Sequence, residues 1–78
     1  MTVYVVIEEH GAGYCGGPDV QLFRTKEAAE KYAREERDRD IDYLEISNSI
    51  TQDDDNCFRL YDVEYNLVSV YSIVVREL

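Results

Sequence analysis

Runs and alternations of apolar residues predict the first two strands of this chain. Residues 3–7 (VYVVI) combine β-branched and aromatic side chains, which favour a strand. Both faces of that strand would be apolar, so we expect it in the interior of a sheet rather than at an edge. Residues 20–23 (VQLF) alternate and predict a short second strand, antiparallel to the first.

A helix is predicted after the second strand, at about residues 26–38. Thr25 is a suitable N-cap, and Glu27 places a negative charge in the first turn, where it complements the helix dipole. One side of the helix carries an apolar stripe made of Ala28, Ala29, Tyr32 and Ala33. Acids and bases balance within this segment, which is typical of a solvated helix surface.

The second half of the chain has a less regular pattern. Residues 40–50 fit either a continuation of the helix or an irregular strand, and residues 51–56 fit a polar turn or loop. Residues 58–65 alternate imperfectly and predict a strand, and residues 67–75 predict the last strand. We therefore expect a single α+β domain over residues 1–78, a small antiparallel sheet of three to four strands with one main helix packed on one face.

The glycine-rich segment at residues 10–19 predicts a loop between the first two strands. Gly11, Gly13 and Gly16 have the G-x-G-x-x-G spacing of dinucleotide-binding sites. Such a site needs a helix that opens at the last glycine and holds the pyrophosphate at its N-terminus. A proline, an aspartate and a short strand follow here instead. The pattern therefore favours a plain loop, and no nucleotide cofactor is expected.

Residues able to bind a metal or act as a nucleophile are few and scattered. His10, Cys15 and Cys57 include no C-x-x-C pair, and nothing in the sequence places His10 beside a thiolate. The DDDN run at residues 53–56 lacks the spacing and the bidentate glutamate of an EF-hand. No metal site is expected. An enzyme is the third-ranked interpretation, and it would make His10 or Cys15 indispensable.

Composition indicates a small folded domain that is strongly acidic. The 78 residues are 45% apolar and carry a formal net charge of −9. No apolar run approaches the length of a membrane span, and the first residues lack the features of a signal peptide. Two cysteines do not make a disulfide framework. We expect a reduced, cytoplasmic protein, and a Cys15–Cys57 bridge stays open.

The negative charge is concentrated in one third of the chain. Residues 40–64 carry a net charge of −7, whereas residues 1–23, 24–39 and 65–78 carry −3, +1 and 0. This charge disfavours direct binding to nucleic acid or to an anionic membrane, and it permits attraction to a basic protein surface. The alternative is that the acids only keep a small protein soluble.

We expect the acids of this segment and nearby tyrosines to bind the partner. Tyrosine is enriched at interfaces because it offers contact area and a hydroxyl at a low entropy cost. The predicted partner-binding residues are Asp40, Asp42, Tyr43, Glu45, Asp53, Asp54, Asp55, Tyr61, Asp62 and Glu64, with Glu8 and Glu9 as an extension. The hypothesis depends on whether the segments that contain them share one face.

In size, acidity and strand–helix–strand layout, the whole chain resembles the small phage-encoded inhibitors that block bacterial defence complexes. Anti-CRISPR proteins and other DNA mimics are the main examples. The resemblance implies a non-enzymatic protein that docks on a basic nucleic-acid-binding surface, such as that of a CRISPR effector, and inhibits it. It transfers no functional residues.

A second resemblance is to small bacterial domains that pair a Val-rich first strand with an "LFRTKEAAEKYA" helix. The shared features are the strand, the Thr cap and the alanine stripe, and they imply a fold rather than a function. This resemblance supports the alternative of a housekeeping or regulatory domain whose acidity serves solubility only. Such a domain would act through an apolar patch or as a homodimer.

Overall fold

The computed structural model describes residues 1–11, 18–46 and 48–78. Within them the chain forms one helix and a five-stranded antiparallel sheet with strand order β2-β1-β5-β4-β3. The elements in chain order are β1 (Thr2–His10), β2 (Asp19–Phe23), α1 (Lys26–Tyr43), β3 (Ile50–Asp54), β4 (Cys57–Tyr61) and β5 (Leu67–Glu77). The α+β class is confirmed, but the sheet has more strands than the three to four expected.

The longest strands, β1 and β5, form the middle of the sheet. They pair along their whole length, from Thr2 opposite Glu77 to His10 opposite Ser69. β1 also pairs with β2 in an antiparallel register, so its predicted place inside the sheet is confirmed. The chain ends are tied together, because the backbone N–H of Leu78 donates to the carbonyl oxygen of Met1 at 2.7 Å.

The strand that the sequence pattern did not predict is β3. Its sequence, ITQDD, has a single apolar residue, so it was expected to lie in an irregular segment and a turn. β3 is an edge strand that pairs only with β4, from Ile50 opposite Tyr61 to Asp54 opposite Cys57. A polar edge strand needs no apolar alternation, and its charges discourage pairing with another sheet.

The helix α1 runs past its expected end at residue 38 and ends at Tyr43. Its start is as predicted, since the Thr25 hydroxyl accepts a hydrogen bond from the N–H of Ala28 at 3.2 Å. No glycine or proline interrupts the following residues, and Asp40 is held by the hydroxyl of Tyr71 at 2.8 Å. In the described part of the chain, no helix combines the length and the apolar character that crossing a bilayer requires.

The strand register divides the sheet into two faces. The helix face carries the even positions of β1 and β4 and the odd positions of β2, β3 and, from Ser69 onward, β5. It meets α1 in the core formed by Val6, Ala29, Ala33, Phe58, Tyr71 and Ile73. The open face carries the alternate positions. Among the described residues, no element packs on the open face.

Gly11 is the loop glycine whose surroundings are described. Its N–H donates to the carbonyl oxygen of Val68 at 2.9 Å, and a Cβ at this position would overlap the carbonyl oxygen of Leu67. Glycine is therefore needed for the close approach of the loop to β5. The rest of the G-x-G-x-x-G pattern lies outside the described residues, as does Cys15. Cys57 is a half-buried free thiol.

Candidate acidic binding site

The predicted acids fall into two groups rather than one continuous set. β1 ends, β4 ends and β5 begins at the same end of the sheet, since His10 is opposite Ser69 and Tyr61 is opposite Leu67. The chain leaves α1 at this end before β3 starts. We call the acids there the end group, which consists of Asp40, Asp42, Glu45, Asp62 and Glu64. The hairpin group, at the other end of β3, consists of Asp53, Asp54 and Asp55.

Two members of the end group have structural roles. Asp40 accepts the hydrogen bond from Tyr71 and is half-buried. Asp62 shapes the loop between β4 and β5, because its carboxylate accepts hydrogen bonds from the backbone N–H groups of Glu64 and Asn66 at 2.9 Å. The other three members of the end group are exposed, namely Asp42, Glu45 and Glu64. Their carboxylates have no hydrogen bond or ion pair among the described residues.

Glu8 and Glu9, the predicted extension of the site, point to opposite faces of β1. Glu8 lies on the helix face, where its Oε2 is 2.6 Å from the Nε2 of His10. The His10 side chain is only 7% exposed. Its Nδ1 and the hydroxyl of the facing Ser69 are both buried and have no hydrogen-bond partner among the described residues. Glu8 therefore does not extend an acidic surface.

The hairpin group is anchored by two arginines. Asp53 is bound by Arg37 of α1, and Asp54 is bound by Arg59 of β4 at 2.8 Å. Arg37 also contacts Asp38 at 3.0 Å and is itself only 4% exposed. It is thus a buried link between helix and sheet, which differs from the solvated helix surface expected from the sequence. Asp55 is exposed and has no such partner among the described residues.

A cavity of about 210 Å³ opens between α1 and the β3–β4 hairpin. The residues that line it are Glu30, Arg34, Asp53, Asp54, Asp55, Asn56 and Phe58. The guanidinium of Arg34 lies 5.4 Å from the ring centre of Phe58, and the Oδ1 of Asn56 is buried without a hydrogen-bond partner among the described residues. The volume is below the range of about 300–1,000 Å³ that is usual for small-molecule sites. It suits the end of one long side chain.

Asn56 has a second role that sequence reasoning missed. With Asp55 it connects β3 to β4 in a two-residue turn, and its φ of 62° is the left-handed conformation that asparagine tolerates well. The segment was expected to contain a turn followed by a strand, but the residues before the turn were not expected to form the other strand of a hairpin. The Asp-Asn pair was the available signal for a hairpin at this point.

The tyrosines of the predicted site lie in different environments. Tyr43 is 82% exposed at the end of α1. Tyr61 lies on the open face and contacts Tyr65, with ring centres 5.8 Å apart. Tyr65 is 69% exposed and has a φ of 63°, which is unusual for a bulky residue and costs on the order of 1–3 kcal/mol. No pattern in the sequence singled out Tyr65 as the strained residue of this loop.

Two tyrosines of the core remain protonated over an unusually wide pH range. Burial and the hydrogen bond to Asp40 raise the pKa of Tyr71 far above its ordinary value of 10.0. Burial also raises the pKa of Tyr32, and the nearby carboxylate of Glu36 adds to this effect. Neither hydroxyl can supply a phenolate nucleophile near neutral pH.

Comparison with known proteins adds no family. No family model, no curated protein and no solved structure matches this chain. In residues 1–11, 18–46 and 48–78, no group of three or more His, Cys, Asp or Glu side chains is arranged to hold a metal ion.

Proposed function

We propose that this is a non-enzymatic binding protein that accepts an arginine or lysine of a basic partner in the hairpin cavity. The observation that supports the proposal is the lining of that cavity, where Glu30, Asp53 and Asp55 lie around Arg34. Asp54 also lines it, but the carboxylate of Asp54 turns to Arg59 on the open face. Such a concave acidic site attracts a cation more strongly than a flat surface does, because the low-dielectric walls focus the field. A guanidinium or an ammonium group supplies the hydrogen-bond donors that these acceptors lack.

Asp55 is the acceptor that is open to an incoming side chain, and the unpaired acceptor of Asn56 lies buried beside it. The carboxylate of Asp55 is exposed without an ion pair among the described residues, and the Oδ1 of Asn56 is buried without a donor. A buried unpaired acceptor costs about 1–3 kcal/mol, so a donor that reaches Asn56 relieves that cost. Asp53 and Asp54 are already held by arginines of this chain, so they keep the site rigid and need not rearrange.

The end group extends the attraction beyond the cavity. Its free members are Asp42, Glu45 and Glu64, and Tyr43 is exposed next to them. A partner with positive charge spread over a broad surface would be steered by both groups together. Nucleic-acid-binding channels have that property, so we propose that the protein competes with nucleic acid for such a channel in the cytoplasm. A CRISPR effector or a similar defence nuclease is the first partner to test.

The alternative function, a small housekeeping or regulatory domain, also has support. Several predicted binding residues have internal partners, namely Glu8, Asp40, Asp53, Asp54 and Asp62. Their charge then serves the fold, and the remaining acids would serve solubility. This alternative predicts no salt-sensitive basic partner.

The test is a titration of the isotope-labelled protein with a peptide of alternating arginine and lysine, followed by NMR. The proposal expects chemical-shift changes centred on Asp55 and Asn56, and weaker binding at high salt. Charge reversal in Asp55→Lys should raise the dissociation constant about tenfold, which corresponds to about 1.4 kcal/mol. The matched control is Glu27→Lys, an exposed site outside the cavity with the same change of charge.

The inhibitory step is tested separately by competition. A nucleic-acid duplex bound to a purified CRISPR effector should be displaced by the wild-type protein and less well by Asp55→Lys. Equal effects of Asp55→Lys and Glu27→Lys on peptide binding would contradict the cavity site and leave only a general charge effect. Peptide binding without displacement of nucleic acid would support the cavity site and contradict the proposed class of partner.

A further inference from the structure

The open face of the sheet contains an apolar patch with no covering element among the described residues. The patch consists of Val5, Ile7, Val20, Leu22 and Val74, which are neighbours across three adjacent strands. Leu22 is 63% exposed and Val20 is 54% exposed. Scattered apolar residues are common on surfaces, but a contiguous patch on a sheet face is typical of an interaction site.

The charge of the open face identifies its occupant. Its charged residues are two acids and two bases, namely Glu9, Asp54, Arg59 and Arg76. The open face is therefore neutral in a chain whose net charge is −9. A basic partner gains nothing from this face. A second copy of the chain meets less repulsion here than on its acidic surfaces.

The arrangement of these charges is self-complementary. Glu9 is opposite Val70 at one end of the sheet, and Arg76 is opposite Val3 at the other end. Val3 and Glu9 are about 20 Å apart along β1 at the usual rise per residue. In a dimer of two stacked sheets, a twofold axis can lie in the plane between the sheets and perpendicular to the strands. Such an axis reverses the strand direction of one copy relative to the other. It therefore brings Glu9 of each copy over the Arg76 end of the other.

The other simple arrangement is disfavoured by the same residues. A twofold axis parallel to the strands superposes the apolar patch on itself only when it runs along β1, the middle one of the three patch strands, and it then places the Glu9 side chains of the two copies together. Arg59 lies at the same end but two strands away, so it does not face Glu9 in that arrangement. Like charges across an interface cost stability, so the first axis is selected. It gives aligned packing of two sheets, and the interface uses the same patch on both copies, as twofold symmetry requires.

The area of the patch strands is that of a weak, concentration-dependent dimer. β2, β1 and β5 have 5, 9 and 11 residues, which at a rise of about 3.3 Å and a spacing of about 4.8 Å give about 400 Å² of flat area per copy. Two copies together cover about 800 Å² before the relief of the side chains is counted, which is below the roughly 1,000 Å² of stable specific interfaces and in the range of weak ones. Tyr61 and Tyr65 add aromatic contact area at one end of this face.

We propose that the protein forms a homodimer through the open face, with the twofold axis perpendicular to the strands and Glu9 of each copy paired with Arg76 of the other. The dimer leaves α1 and the acidic end group of each copy on the outside. It does not depend on the proposed function, and it holds for either of the functions considered above.

The test is the oligomeric state of the full chain by sedimentation equilibrium from micromolar to millimolar concentration. The proposal expects a monomer–dimer equilibrium. Leu22→Lys should raise the dissociation constant of the dimer by at least about tenfold, because it places a charge within the apolar patch. The matched control is Val75→Lys, which makes the same change of charge at a 48% exposed position of the helix face. Circular dichroism establishes that both variants are folded.

The charge pair is tested by reversal. Glu9→Arg alone and Arg76→Glu alone should each weaken the dimer, and the double variant should restore it, because the pair is then reversed rather than removed. A monomer at all concentrations would overturn the proposal. A dimer that is insensitive to Leu22→Lys, or one that the double variant does not restore, would show that the interface or its symmetry lies elsewhere.

Discussion

The two faces of the sheet differ in the size of their side chains more than in their apolar character. The helix face presents Phe58, Tyr71 and Ile73 to a helix stripe of alanines. The open face presents mainly Val, Ile and Leu, and no element packs on it among the described residues, although Val3 at its edge is only 6% exposed. Large side chains on the sheet fill the space that small side chains on the helix leave, so the two surfaces pack closely. An alternating pattern of apolar and polar residues thus indicates that a strand has two different faces. The volume of the side chains indicates which of these faces is covered by a helix of small residues.

The sharpest test of this comparison uses two neighbouring residues of β5 that point to opposite faces. Ile73→Ala removes a side chain that is 5% exposed and leaves a cavity beneath α1, so it should lower the free energy of unfolding by about 2–5 kcal/mol. Val74→Ala, on the open face, should cost about 1 kcal/mol or less in the monomer. Urea unfolding at low protein concentration measures both. Equal losses would mean that the open face is covered as well as the helix face.

A second test concerns how α1 is held on its face. Arg37→Met keeps most of the apolar volume and removes the contacts to Asp53 and Asp38, so it should cost about 1–3 kcal/mol. The loss of stability stays moderate because the side chains of Asp38 and Asp53 are about half exposed. Arg39→Met is the control, since its pair with Glu36 is exposed and should change stability by less than about 0.5 kcal/mol. If the two variants were equally stable, Arg37 would contribute packing alone.

The smallest expected effect is a loss of stability in alkali. The pKa of Tyr71 is raised on folding, so the folded chain keeps this proton at pH values where the unfolded chain has lost it. The stabilisation of the folded state by this proton is therefore fully present below the unfolded pKa of about 10. As the pH rises above that value, the free energy of unfolding decreases by at most about 1.4 kcal/mol per pH unit. Tyr71→Phe should reduce that slope and cost about 1 kcal/mol near neutral pH.

Urea unfolding between pH 8 and pH 11 measures the slope. The exposed Tyr43 supplies the control, because Tyr43→Phe removes a hydroxyl that makes no hydrogen bond to a described residue. Its slope should match that of the wild type. A Tyr71→Phe variant with an unchanged slope would contradict the raised pKa and assign the alkaline loss to other groups, such as Tyr32.

Much of the fold was predictable because its signals are local. The β-branched run at the start of β1, the Thr25 cap and the alanine stripe of α1 each depend on a few neighbouring residues. β3 was not predictable in this way. Its polar side chains become a strand only because β4 offers a free edge. The end of α1 was missed for a related reason, since its last turn is held by a hydrogen bond from β5.

The candidate site shows the same division between local and distant causes. The sequence located the acids and their excess charge. It could not show that Arg37 reaches Asp53 or that Glu8 turns inward to His10, because these partners depend on the register of strands that are distant in sequence. Asn56 and the cavity beside it were missed because a cavity exists only between packed elements.

The sequence by itself determined the α+β class, the place of β1 inside the sheet, the start of the helix and the acidity of residues 40–64. Only the tertiary structure decided which acids are held by internal partners and which are free. It also separated a helix face from a neutral open face. The physical reason is that propensity, capping and net charge act between near neighbours, whereas burial, ion pairing and the composition of a face depend on residues that folding brings together.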